Sequence, residues 1–68
     1  MKINFEWKED IYNPGKGYSF WVNNKLIDYI VFDMDKWYVC YEYIDSLELA
    51  KLFCEKKFIK WLEGIINE

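Results

Sequence analysis

The chain contains no His, no Arg, no Thr and no Gln, and only one Pro, three Gly and two Cys. Without His, the commonest general base and metal ligand is missing. Cys–His nucleophilic sites and His-containing zinc sites are therefore excluded, and two Cys cannot make a Cys₄ site. Cys40 and Cys54 are too few for a secreted disulfide framework. They are expected as buried free thiols, one on a sheet and one on a helix. A redox pair would require them to be adjacent and near a charge that stabilises thiolate. No run of apolar residues approaches the length of a membrane span, and no secretory leader is apparent, so the expected setting is cytoplasmic with no membrane contact. The scarcity of Gly and Ser leaves no linker and no low-complexity segment, which is the pattern of a single small domain.

What is present is mainly aromatic and charged. Across 68 residues there are four Trp, six Tyr and five Phe, with 12 acidic residues against nine basic ones, all Lys, for a net charge of −3. An aromatic share of 22% excludes disorder as the main state. Large rings supply much buried area per residue, which helps a small chain offset its conformational entropy. The acidic balance opposes nonspecific attraction to phosphate backbones and anionic lipid. A Lys-, Asn-, Ile- and Tyr-rich composition without Arg is that of an AT-rich genome, such as a phage or a low-GC bacterium.

Periodicity predicts four strands followed by a helix. Ile3, Phe5 and Trp7 alternate with Asn4 and Glu6, as in a half-buried strand. Asn13-Pro14-Gly15 suits a tight turn. Asn23-Asn24 and Met34-Asp35 are the expected tips of two hairpins. The strands are expected over about 2–8, 18–22, 25–32 and 37–43, and the helix over about 46–66. Asp45 with Glu48 three residues later reads as a capping box. Leu47, Ala50, Cys54, Phe58, Trp61 and Ile65 follow helical spacing as the buried stripe. The expected fold is α+β: a four-stranded antiparallel meander (ββββα) with the C-terminal helix packed on one face.

This arrangement leaves an apolar surplus. With Phe20 opposite Ile27 and Tyr18 opposite Tyr29, both sheet faces are apolar, whereas one helix covers only one of them. The face expected to remain open carries Leu26 together with six residues taken as its contact set, Trp21, Ile30, Phe32, Trp37, Val39 and Tyr41. Leu52, Ile59 and Ile66 form a second apolar line along the helix. These nine residues are the expected partner or dimer interface.

No catalytic set, metal site or cofactor site can be assembled from the spacing. Asp33-Met34-Asp35 is explained by turn chemistry. Gly15-Lys16-Gly17 lacks the glycine spacing and following helix of a phosphate loop. The leading expectation is a non-catalytic protein-binding protein, a homodimer, one form being a phage or mobile-element inhibitor of a host protein. Two alternatives accompany it. One is single-stranded nucleic-acid binding, with Trp21 and Trp37 stacking bases beside Lys16, Lys25 and Lys36. The other is a nucleotide-like small molecule enclosed by aromatics and Lys of two protomers.

Overall fold

The computed structural model describes residues 2–66, with side chains described for 2–65. Its elements are β1 (Phe5–Glu9), β2 (Gly17–Val22), β3 (Lys25–Asp33), β4 (Lys36–Val39), β5 (Glu42–Ile44) and α1 (Leu47–Ile66). The strands form one sheet in the order β1-β2-β3-β4-β5, each antiparallel to its neighbour. The architecture is thus the expected α+β meander with a C-terminal helix, with five strands in place of four.

The extra strand comes from a third hairpin. A two-residue hairpin turn matched to strand twist requires positive φ at both central residues. Asn23 and Asn24 adopt φ of 49° and 68°, and Met34 and Asp35 adopt 53° and 62°. Cys40 and Tyr41 do the same at 50° and 66°. This splits the expected 37–43 strand into β4 and β5. At the other end of the sheet, β1 begins later than expected. The Asn4 N–H donates to Asn23 Oδ1 at 2.9 Å and the Asn23 N–H donates to the Asn4 carbonyl at 3.1 Å. These bonds tie residue 4 to the hairpin ahead of the ladder.

The second correction concerns register. Val22 pairs with Lys25 as expected, but Phe20 pairs with Asp28 and Tyr18 with Ile30, because the register shifts between Phe20 and Trp21. An extra residue, Ile27, is accommodated in β3. A one-residue slip exchanges the faces of everything beyond it. Ile30, Phe32, Trp37 and Val39 therefore join Tyr18, Phe20 and Val22 beneath the helix, not on the open side. Ile30 is fully buried, Val39 is 1% exposed and Trp37 is 8% exposed.

The core is built around rings. Phe20 stacks on Trp7 at 4.7 Å and meets Phe5 edge-on at 5.2 Å. Phe58 closes the cluster from the helix, 5.9 Å from Phe5 and 6.1 Å from Phe20. The Trp7 indole N–H donates to Glu55 Oε2 at 2.8 Å, giving a half-buried donor its partner. Ala50 and Cys54 are buried, and Leu47 and Phe58 pack against the core, as the stripe predicts. Trp61 and Ile65 depart from it, being 60% and 53% exposed. A 20-residue helix is about 30 Å long, and its last turns outrun the short strands beneath it.

Ser46, not Asp45, caps the helix. The Leu49 N–H donates to Ser46 Oγ at 3.1 Å, and the Ser46 carbonyl accepts from the Ala50 N–H at 2.9 Å. Asp45 instead pairs with Lys36 at 2.7 Å. That lysine holds the Asp45 carboxyl below its ordinary range.

Candidate functional site

The face of the sheet away from the helix is lined by tyrosines. In register, β1 presents Glu6 and Lys8, β2 Ser19 and Trp21, β3 Leu26, Tyr29, Val31 and Asp33, β4 Lys36 and Tyr38, and β5 Tyr43. Leu26 is 58% exposed, Tyr43 47% and Tyr29 41%. The apolar surplus thus remains; Trp21 and Leu26 are on this face as expected, while Tyr29, Tyr38 and Tyr43 take the place of Ile30, Phe32, Trp37 and Val39.

The charged groups on this face are Glu6, Asp33, Lys8 and Lys36 from the strands, joined by Asp10 and Asp45 from the flanking turns. The Tyr29 hydroxyl donates to Asp10 Oδ2 at 2.6 Å. Asp10 is held for this by the turn after β1, where Oδ1 accepts from the Tyr12 N–H at 2.9 Å and the Asp10 N–H donates to the Gly17 carbonyl at 2.9 Å. Gly17 gives the ring its room, since a Cβ there would collide with the Tyr29 hydroxyl. The Tyr29 bond lowers the Asp10 pKa and raises that of Tyr29. On β5 the Tyr43 hydroxyl donates to Asp33 Oδ2 at 3.3 Å, beside the Tyr38 ring at 4.9 Å. Desolvation, then the Asp33 charge, raises the Tyr43 pKa. Two lysines share the face: Lys36, opposite Asp33 and paired with Asp45, and Lys8, 4.2 Å over the Trp21 ring, whose N–H donates to Ser19 Oγ.

A second feature lies where β3, the β4–β5 turn and α1 meet. The Cys40 thiol donates to Asp28 Oδ2 at 3.2 Å, and the Cys54 thiol reaches the same oxygen at 3.8 Å. Asp28 Oδ1 accepts from the Tyr29 N–H at 2.7 Å. Burial first, then Asp28, pushes the thiols up to about 11 for Cys40 and about 12 for Cys54. Both thiols hold their protons at neutral pH, and the adjacent carboxylate opposes rather than stabilises thiolate. A cavity of about 510 Å³ opens beside them, walled by Tyr29, Tyr38 and Tyr41, with Asp28 and Lys57 at its polar end. Among the described residues no group of three or more His, Cys, Asp or Glu has the arrangement of a metal site, this one included.

The residues singled out from sequence fall in several places. Ile30, Trp37 and Val39 are core, and Phe32 packs on Trp37 at 5.2 Å. Trp21 is half-buried on the open face, and Tyr41 is 91% exposed at its turn. Leu52 and Ile59 are exposed on the outer helix surface. The Ile66 side chain lies outside the described ones. Lys16 and Lys36 flank one end of the sheet and Lys25 the other, roughly 27 Å apart along β3. The three lysines therefore do not form one patch, and Trp37, in the core, has no free face for a base. Tyr29, Tyr38, Tyr43, Asp10 and Asp33 were not singled out, because the register slip that exposes the tyrosines leaves no mark in the periodicity.

Comparisons with protein-family models, with curated proteins and with solved structures returned no match. Among the described residues no helix is long and apolar enough to cross a membrane.

Proposed function

We propose that the chain is a small, non-catalytic protein-binding protein whose open sheet face docks onto a cationic protein surface. The observation that carries this reading is the pairing of exposed tyrosines with carboxylates, Tyr29 with Asp10 and Tyr43 with Asp33. Tyr is a favoured interface residue because it combines apolar area with a polar tip. Glu6, Asp10, Asp33 and Asp45 outnumber Lys8 and Lys36 around this face, and that acidic excess favours a positively charged counterpart over a second copy of itself. The same carboxylates repel a phosphate backbone, which ranks nucleic acid lower. An inhibitor that occupies a host protein's basic groove is one form of this activity.

Self-association has a separate surface on the helix. Leu49, Leu52 and Ile59 are 55%, 46% and 42% exposed. The spacing of Leu52 and Ile59 is that of a helix–helix seam. A second copy would dock along this line of α1, leaving both open faces available.

Two variants separate these surfaces. With wild type immobilised in a lysate of the source cells, basic proteins captured in a salt-sensitive way should be lost at least about tenfold on Leu26→Lys and retained on Leu52→Lys. Sedimentation should show a dimer for wild type and Leu26→Lys, and a monomer for Leu52→Lys. Unchanged capture by Leu26→Lys would overturn the open-face reading. So would tight binding of a single-stranded oligonucleotide that is lost on the same substitution.

A further inference from the structure

The two thiols come from different elements, Cys40 from the β4–β5 turn and Cys54 from the middle of α1. Both reach the same oxygen of Asp28, Cys40 at 3.2 Å and Cys54 at 3.8 Å, so one carboxylate gathers the two sulfurs. Cys40 occupies a turn position with φ of 50°, where Asn or Gly is favoured and a Cys backbone is strained. The turn brings its Sγ to Asp28. Cys40 also lines the open cavity, and Cys54, 3% exposed, lies with Cys40 on a smaller apolar cleft beside it.

We propose that Cys40 and Cys54 are a modification site. On meeting a small-molecule disulfide such as oxidised glutathione, they form an intramolecular bond that staples the β4–β5 turn to α1. The Cys40 thiolate attacks one sulfur of the oxidant and releases one glutathione thiol, leaving a mixed disulfide on Cys40. Cys54 then attacks Cys40 Sγ and releases the second glutathione. Two electrons pass to the oxidant, and the two cysteine protons end on the two released thiols. Burial, and after it the Asp28 carboxylate, restrain the first step by disfavouring the attacking thiolate, with Lys57 acting the other way. The reaction is accordingly slow at neutral pH and accelerates as pH rises toward the thiol pKa values. In the product Asp28 has lost both S–H donors and is left facing Lys57 across the cleft.

The test is oxidation by oxidised glutathione at mildly alkaline pH, followed by intact mass and by thiol titration of the unfolded chain. Wild type should lose two thiols and the mass of two hydrogens without retaining an adduct. The bond closes a loop of about 15 residues and should raise the melting temperature by about 10 °C or more. Cys54→Ser should accumulate one glutathione on Cys40, and Cys40→Ser should stay unmodified. Asp28→Asn should oxidise about tenfold faster than wild type. A stable glutathione adduct on wild type, a link between two chains, or two persistent free thiols in both wild type and Asp28→Asn would each overturn the proposal.

Discussion

Phe20→Ala is expected to leave the chain without a cooperative unfolding transition. Phe20 is fully buried and touches Phe5, Trp7 and Phe58, so it joins β1, β2 and α1 in one contact set. Truncating a buried Phe costs about 3–5 kcal/mol, since the vacated space is only partly filled by relaxation. A domain of this length has about 3–10 kcal/mol to lose. The neighbours are rings fixed on three separate elements, which restricts their collapse into the gap. Urea titration followed by Trp fluorescence checks this. A sloping, transition-free curve is expected for Phe20→Ala, against a change within about 0.5 kcal/mol for Tyr12→Ala, Tyr12 being 90% exposed. A Phe20→Ala midpoint close to wild type would place the core elsewhere.

The second large effect is expected from reversing the charge of the open face. Asp10→Lys with Asp33→Lys turns its rim from acidic to basic without touching the core. Like charges brought together across an interface cost several kcal/mol, so binding to the cationic partner should fall by about a hundredfold or more. Asp10 also supplies an internal control. Its bond raises the Tyr29 pKa, so the double variant should ionise Tyr29 at lower pH, which ultraviolet titration of the phenol reads directly. The pH dependence has a definite sign. The Tyr29 bond holds the Asp10 pKa below that of a free Asp. Its contribution is therefore present above the ordinary Asp range and lost as pH falls through the lowered value. Binding should weaken in the same acidic window. Unchanged affinity in the double variant would remove charge complementarity from the account.

How far the fold is legible in the sequence can be judged residue by residue. Asn23-Asn24 announces its hairpin because Asn tolerates left-handed geometry, and the spacing of Leu47, Ala50, Cys54 and Phe58 announces the buried side of α1. Cys40-Tyr41 announces nothing, since neither residue favours positive φ; tertiary contacts, Cys40 with Asp28 above all, hold that turn. Ile27 is likewise silent. It reads as an ordinary strand residue, yet it is the extra residue that exchanges the faces of β3 and β4. The apolar surplus was visible in composition alone, because the number of rings does not depend on register. Which rings remain outside does depend on it, so Ile30, Trp37 and Val39 were placed on the surface while Tyr29, Tyr38 and Tyr43 were passed over. The Tyr–carboxylate pairs join residues distant in sequence and only become neighbours when the sheet is assembled.

The claim on which this account rests is that the tyrosine-lined face is where another protein sits. A photoreactive phenylalanine analogue in place of Tyr38, on β4 of that face, tests it most directly in the cells that encode the chain. The account predicts a covalent adduct with a different, Lys- or Arg-rich protein, abolished by Asp10→Lys with Asp33→Lys. A link to a second copy of the chain, a link to nucleic acid, or no adduct above the unirradiated control would contradict it.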